Sequence, residues 1–306
     1  MSLGRRMEDP GTAPSVTAVI PHYGDPEPTI RLVEQLRASR LVPQIIVSDD
    51  SSPTPFPDRP GITVVRRAAN GGYGSAVNSG AAQAAGELLL ILNSDLEIEP
   101  TAMDHFIAEA AAWMPAVIGP GVTNRHGAAD YTGRYFPTTS HQAVEWLTPL
   151  ARWREQSVWH RAVGHDTQAV PGTITAVDWL VGAFLLLPRK DFEAVGGFDE
   201  RFYMNSEEID LQRRLADRGL PRIYLGTHQV VHEGGGSSES AARRRWLTQS
   251  RWTYADKWGG TGRLTVALTM ATAANLVWNG ARRALGRDCS PLATARYELD
   301  LIRRRA

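Results

Sequence analysis

Leu88-Leu-Leu-Ile-Leu-Asn-Ser-Asp95 is an unbroken apolar run that passes directly into polar residues. A strand with one wet face alternates apolar and polar residues. A run with no alternation fits a strand covered on both faces, which requires helices on both sides of a sheet. The sequence around it repeats that logic. VTAVIPHY (Val16–Tyr23), QIIVSDD (Gln44–Asp50) and ITVV (Ile62–Val65) are further strands. Glu27–Ser39 shows helical spacing in Ile30, Val33 and Leu36, Tyr73–Ala85 is helical and rich in small residues, and Thr101–Trp113 is a further helix. Such alternation predicts an α/β fold with a parallel sheet, whose ligands bind beyond the carboxyl ends of the strands. Residues 120–175 are weakly patterned. Val177–Pro188 is a strand candidate, Glu207–Arg218 a helix stopped by Gly219, and the chain after Gly236 is helical to its end.

The chain has 306 residues, 42% hydrophobic and 22% charged, ample for a large buried core. Its single cysteine, Cys289, excludes an internal disulfide framework and a cysteine-based zinc site, and fits a reducing compartment. No apolar stretch follows the two early arginines, so residues 1–14 read as a disordered lead-in rather than a secretory signal. The net charge of zero hides an asymmetry. From residue 241 on there are 13 Lys/Arg against 4 Asp/Glu, a net of +9, so residues 1–240 carry −9. An acidic body with a basic tail suits contact with an anionic surface and gives no sign of a nucleic-acid partner. Leu264–Trp278 is too short to span a bilayer. With Arg263, Arg282 and Arg283 around it, it either lies at a membrane surface or packs on the catalytic domain.

Polar residues cluster where the strands end. Asp49 and Asp50 close the second strand and can accept hydrogen bonds from a nucleobase or ribose; with Ser51, Ser52 and Pro53 they equally suit a turn. Asn70-Gly-Gly-Tyr-Gly-Ser-Ala-Val-Asn78-Ser-Gly80 offers glycines and a helix start to a diphosphate, or is simply a tight turn into a close-packed helix; it matches neither the dinucleotide nor the Walker fingerprint. Asn93-Ser94-Asp95 can hold one Mg²⁺ or Mn²⁺, with Asn93 and Asp95 on one side if the strand stays extended, or forms an Asx turn. Glu207, Glu208 and Asp210 open a helix, where acids are favoured by the dipole, yet a buried pair of acids also makes a general base. His232, followed by Gly234–Gly236, is either packed or placed at a loop beside a ligand.

Taken in order, NGGYGSAVNSG, LLLILNSD, Asp178–Leu211 (DWLVGAFLLLPRKDFEAVGGFDERFYMNSEEIDL) and VVHEGGGS resemble the family 2 glycosyltransferases over about residues 15–240, and most closely their bacterial rhamnosyltransferase branch. The resemblance implies the GT-A fold, a Rossmann-like mixed central sheet with flanking helices, here with a basic helical extension over 241–306. It implies a donor site of Pro21, Tyr23, Asp49, Asp50, Asn70, Gly72, Asn78, Asn93 and Ser94. Asp95 would be the retained ligand of a divalent Mg²⁺ or Mn²⁺, His232 would complete that metal site, and Glu208 would be the catalytic base. Trp179, Gly182, Ala183, Glu207 and Asp210 would face the substrate. The sequence departs from the family pattern in four places, one of them Ser94, which stands where the rhamnosyltransferase branch often has Pro. Asn93 replaces the first acid of Asp-x-Asp, Glu208 replaces an Asp, and Gln249-Ser-Arg-Trp252 is one residue short of the processive Gln-x-x-Arg-Trp, so single-sugar transfer is expected.

The implied reaction is an inverting transfer from a TDP- or UDP-linked sugar, with a deoxysugar such as rhamnose favoured by the branch. The acceptor is a glycan, lipid-linked or natural-product hydroxyl, and the expected location is the cytoplasm, at the inner face of the plasma membrane. Two other classes compete. A sugar-phosphate nucleotidyltransferase would want a basic Gly-rich loop after the first strand, where Pro21–Pro26 has neither Lys nor Arg. A degenerate sugar-binding module would lack the base or the metal ligand, whereas Glu208, Asp95 and His232 are all present.

Overall fold

The computed structural model describes residues 15–99, 101–128, 131–232 and 240–303. The expected lead-in over 1–14, the glycines after His232 and the last two arginines lie outside them. In chain order the elements are β1 (Val16–His22), α1 (Pro26–Arg37), β2 (Gln44–Asp49), β3 (Thr63–Arg66), α2 (Tyr73–Ala81), β4 (Leu88–Leu92), β5 (Leu96–Glu97), α3 (Ala102–Ala110) and β6 (Val117–Thr123). Then come β7 (Gly133–Arg134), α4 (Thr139–Trp146), α5 (Ser157–Ala162), β8 (Ile174–Ala176), β9 (Trp179–Leu180), β10 (Phe184–Pro188), α6 (Arg189–Ala194), α7 (Glu207–Asp217) and β11 (Arg222–His232). Three helices end the chain, α8 (Ser240–Trp258), α9 (Thr261–Ala284) and α10 (Pro291–Arg303).

The central sheet runs β3-β2-β1-β4-β10-β6-β11-β5, with β8 also pairing with β11, at Ile223–Leu225 on the edge away from β6. β3, β2, β1 and β4 are parallel; β10 is antiparallel to both β4 and β6, and β11 is parallel to β6. The sheet is thus mixed. Strand order reverses at β1: α1 carries the chain to β2 on one side, and α2 returns it to β4 on the other. Ligands of open α/β sheets sit at such a reversal.

The apolar run Leu88–Leu92 divides by parity. Leu88, Leu90 and Leu92 enter the core on the α1 and α3 side, while Leu89 and Ile91 enter the core on the α2, α6 and α7 side. β1 and β10 divide the same way, which is why none of these strands alternates. Each large aliphatic side chain buried there contributes roughly 1.5–3 kcal/mol. The Asp25 carboxylate caps α1 by accepting from the Glu27 N–H at 3.1 Å, and Pro26 begins the helix with φ already set.

Three expectations shift. β4 stops at Leu92, so Asn93–Asp95 form a turn and not an extended strand end. The helix expected over Tyr73–Ala85 ends at Ala81. The single strand expected over Val177–Pro188 is two strands in two sheets: β9 pairs with β7, and β10 with β4 and β6. Residues 181–183 make the crossing, with the Val181 N–H donating to the Thr132 carbonyl and the Ala183 carbonyl accepting from Asn93.

The C-terminal helices share a third core with α4, formed by Trp146, Trp252, Leu264, Leu268, Leu301 and Ile302. Buried Asn275 bonds the Trp146 carbonyl through Nδ2 at 3.0 Å and accepts from the Thr148 N–H at 2.9 Å. α8 is also bolted to the loop before α7. Ser250 Oγ donates to the Met204 carbonyl at 2.7 Å, and Lys257 Nζ lies 2.6 Å from Asp199 and 2.7 Å from Asp210.

Candidate active site

The parallel register His22↔Asp49 aligns the ends of β1 and β2, and β4 ends on the same edge. Pro21, half-exposed Tyr23, Ser94 and Asn70 all lie along that edge. The two acids of β2 are buried and already bonded. Asp49 accepts from the Ser52 and Phe56 N–H groups, each at 2.8 Å, and shapes the loop that follows. Asp50 accepts from the Gly71 and Gly72 N–H groups at 3.0 and 2.8 Å and pairs with Arg67 at 2.7 Å. The Tyr73 N–H donates to the Tyr203 carbonyl. The amides expected to cradle a diphosphate are therefore held by the protein itself, and the α2 start is a fastened turn. Gly72, with φ +85°, is packed on the Tyr203 backbone, where any Cβ would clash at 1.9 Å. Asn78 is likewise occupied: its amide donates to and accepts from the Phe198 backbone, tying α2 to the loop before α7.

At the end of β4, Asn93 and Asp95 converge although the backbone turns. β11 is antiparallel to β5, with His232 opposite Leu96, the residue after Asp95. His232 Nε2 consequently lies 3.1 Å from Asp95 Oδ1 and 3.2 Å from Asn93 Nδ2. No group of three or more His, Cys, Asp or Glu among the described residues could hold a metal by itself. A carboxylate, an imidazole and an amide do fit a cation that takes its remaining ligands from phosphate oxygens and water, the usual mode for Mg²⁺ with nucleotides.

The acid pair sits on the opposite wall. Asn205 and Ser206 both have left-handed backbone angles, φ 71° and 66°, and turn the chain sharply into α7. Non-glycine residues adopt such angles at a cost and mainly where the surroundings enforce them. Glu207 is buried and Glu208 half-buried, and each has an oxygen, Oε2, with no hydrogen-bond partner. Burial, reinforced by the neighbouring charge of Glu208, holds Glu207 well above the usual carboxylate range. Burial also raises Glu208, but the backbone N–H groups at the helix start and the Arg134 guanidinium oppose it. Glu208 is thus the member of the pair that more readily carries the charge. It packs on Gly182, where a Cβ would come within 3.1 Å of Glu208 Cβ. Ala183 is buried, and its carbonyl holds the Asn93 N–H at 2.8 Å.

Tyr73 joins the two walls. Its hydroxyl donates to the Gly182 carbonyl at 2.7 Å, and burial together with Glu207, Glu208 and Asp95 raises its pKa well above the ordinary value. Trp179 is fixed by its Nε1–H to the Tyr135 carbonyl at 2.9 Å, with Arg134 5.3 Å above its ring. Asp210, expected to face the substrate, does not: it is fully buried between Arg214, Lys257 and the Trp258 Nε1–H, all within 2.9 Å.

The family model for glycosyl transferase family 2 matches residues 17–162. The N-acetylglucosaminyl-diphospho-decaprenol L-rhamnosyltransferase of Mycobacterium tuberculosis is 28% identical over 239 residues, 73% of this chain and 76% of that protein. The rhamnosyltransferase WbbL of Escherichia coli is 28% identical over 129 residues, 41% of this chain and 44% of that protein. The chain is thus similar to the family 2 glycosyltransferases, through a matched stretch that spans just under half of it. Its fold also matches a solved mannosyltransferase from Pyrobaculum calidifontis in complex with GDP-Man and Mn²⁺, with a TM-score of 0.58 at 16% identity over 97% of this chain and 88% of that one. The sheet is therefore that of a GT-A glycosyltransferase.

Several residues of this glycosyltransferase site carried no motif in the sequence. Gln212, fully buried on α7, grips the Leu180 backbone through both ends of its amide at 2.8 and 2.7 Å and sets Trp179 against the acids. Arg134 comes from the weakly patterned region. Arg251 of α8 lines the same cavity as Glu208. It stands within Gln249-Ser-Arg-Trp252, the near-match set aside in the sequence, which was the signal for it. No helix among the described residues is long and apolar enough to cross a membrane.

Proposed function

We propose that this glycosyltransferase moves a single sugar from a nucleoside-diphosphate donor to an acceptor hydroxyl with inversion, and that Glu208 is its general base. The observation that carries the reading is the unpartnered Glu208 Oε2, in the wall of a cavity and against Gly182. Glu208 accepts the proton of the acceptor hydroxyl as that oxygen attacks the anomeric carbon from the face opposite the diphosphate. The new carbon–oxygen bond forms while the bond to the diphosphate oxygen breaks, and the nucleoside diphosphate leaves with the electron pair. Asp95 and His232, with Asn93 beside them, would hold a Mg²⁺ or Mn²⁺ ion, which supplies neutralisation of the diphosphate charge when bound. The Mn²⁺ of the archaeal mannosyltransferase complex supports that assignment.

The names of the mycobacterial and E. coli relatives support rhamnose, a deoxyhexose, as the sugar moved, and the mycobacterial name supports a lipid-linked glycan acceptor; TDP or UDP as its carrier is our own reading. The outer face of α9 fits such an acceptor. Val266, Met270 and Val277 are 59%, 68% and 73% exposed along one side, with Arg263 and Arg282 near the ends. An exposed apolar stripe between arginines suits peripheral contact with an anionic bilayer, at the cytoplasmic face. Residues 15–240 form the catalytic domain in this reading and 241–306 an extension that contributes to the site.

The test is calorimetry of TDP and UDP binding with and without Mn²⁺ or Mg²⁺. Metal-dependent binding of one nucleotide is expected, lost in Asp95→Ala and kept in Glu208→Gln, which should lower transfer by about 10²–10⁴-fold. Binding of neither nucleotide to the folded chain with metal present would end the reading.

A further inference from the structure

Five of the ten buried side-chain polar atoms without hydrogen-bond partners among the described residues gather in one place. Arg251 Nη1, His141 Nδ1, Gln142 Oε1, Asn205 Nδ2 and Glu208 Oε2 belong to residues that line one cavity of about 170 Å³. Folded proteins pair nearly all such groups, so a concentration of unpaired ones at a single cavity marks a partner that arrives with function. Arg251 is the strongest case. Its side chain is only 8% exposed, and its Nη2 is held by Glu145 at 2.6 Å, which leaves Nη1 fixed in the cavity wall. Gln142 of α4 is 9% exposed and has an unpaired carbonyl oxygen.

We propose that this cavity seats the acceptor, and that what it reads is a single sugar ring, gripped by Arg251 and Gln142 with one hydroxyl at Glu208. The proposal rests on the assignment of Glu208 as the base. The lining mixes donors, Arg251 Nη1 and Asn205 Nδ2, with acceptors, Gln142 Oε1 and Glu208 Oε2, and an imidazole that burial keeps below its ordinary pKa and hence neutral. A ring bearing several hydroxyls, each both donor and acceptor, satisfies such a mixed set. A flat apolar aglycone would leave every one of these groups unpaired. The size agrees: a cavity of about 170 Å³ has room for a sugar ring. Trp179, Tyr135 and Tyr254 supply aromatic surface for the C–H faces of that ring. Arg251 and Tyr254 come from α8 and Gln142 from α4, so acceptor choice is written in elements separate from the strand ends that face the donor.

The test uses the full chain saturated with nucleoside diphosphate and Mg²⁺, and follows binding by ligand-observed NMR. The probes are methyl glycosides of a hexose, an N-acetylhexosamine and a 6-deoxyhexose, with 2-naphthol as the flat comparison. At least one glycoside is expected to bind, and to bind about tenfold more weakly to Arg251→Gln and to Gln142→Leu, with nucleotide affinity unchanged. Gln142→Leu guards against a folding artefact. It removes an amide whose oxygen has no partner, so its melting midpoint should match or exceed that of the parent chain. The proposal is overturned if no glycoside binds while nucleotide does, if both variants bind glycosides as the parent does, or if naphthol displaces the glycoside. Absence of nucleotide binding to the parent chain is a different failure, which removes the donor reading and leaves the glycoside arm to judge the cavity alone.

Discussion

Gly182→Ala tests how closely the base is positioned. The backbone at Gly182 is not in the left-handed region, so alanine is permitted there and the effect comes from contact alone. Its Cβ would stand 3.1 Å from Glu208 Cβ, 3.3 Å from Cγ and 3.7 Å from Cδ. Carbon pairs settle at about 3.5–4.0 Å, so the Glu208 side chain has to retreat by about 0.3–0.5 Å. A misplacement of about 1 Å at a reacting group costs on the order of a hundredfold in rate, so this retreat should cost about 4- to 10-fold in kcat. The Tyr73–Gly182 bond uses the backbone carbonyl and survives the change. The assay is release of nucleoside diphosphate from the sugar nucleotide with water as acceptor, run beside calorimetric nucleotide affinity. A full rate in the variant would show that Glu208 has slack and its position against Gly182 is incidental. A nucleotide affinity that falls in step with the rate would show that the substitution damages the donor site instead.

Four further outcomes are expected. Burial raises Glu208 and the base must be ionised to act, so activity should fall on acidification at a pH above the usual carboxylate range; Arg134→Gln, which removes an opposing cation, should move that limb higher still, and an unmoved limb in the pH profile of kcat counts against the pairing. Glu207 has its folded pKa above its unfolded one, so its contribution to stability is present at low pH and is lost as pH rises through the folded value. Glu207→Gln should therefore stabilise by ~1–3 kcal/mol at pH 8 and do little at pH 4, as thermal melts at the two pH values will show. Asp210→Ala takes a fully buried carboxylate from half-buried Arg214 and Lys257, the latter still paired with Asp199, and should cost ~1–3 kcal/mol in denaturant melts while leaving nucleotide affinity intact in the folded fraction. Met270→Asp on the open face of α9 should abolish co-sedimentation with anionic vesicles without changing donor turnover; equal sedimentation of both proteins would remove the membrane reading.

The half of the sheet built from consecutive strand–helix units was legible because burial on both faces leaves an unbroken apolar run, as in Leu88–Leu92. β6 and β11 were not. Val117–Thr123 carries Gly119, Pro120 and Gly121, and Arg222–His232 is interrupted by a register shift between Leu225 and Gln229, so neither reads as a clean strand. Long apolar runs also conceal where a chain changes sheets, which is why Val177–Pro188 looked like one strand. In the site, Asn93 with Asp95 and the Glu207–Glu208 pair stood out as local motifs, whereas the approach of His232 to Asp95 was implied by the family resemblance alone. The use of Asp50 to fasten the Gly-rich turn does not, because spacing alone cannot say whether an acid meets a ligand or the protein's own amides. Arg251 had only the incomplete Gln249–Trp252 match to mark it, because α8 meets the cavity through tertiary packing that local sequence does not report.

The bolts between α8 and the loop before α7 bear on how this enzyme can be cut and recombined. A chain ended at residue 240 would lose Lys257 and leave the Asp199 and Asp210 carboxylates facing each other without the cation they share. It would also lose Arg251 and Tyr254 from the wall of the cavity. A chimera meant to keep the donor and change the acceptor should therefore carry α4 and α8 over together, with their Glu145–Arg251 contact, and be joined on the far side of α8 from the sheet.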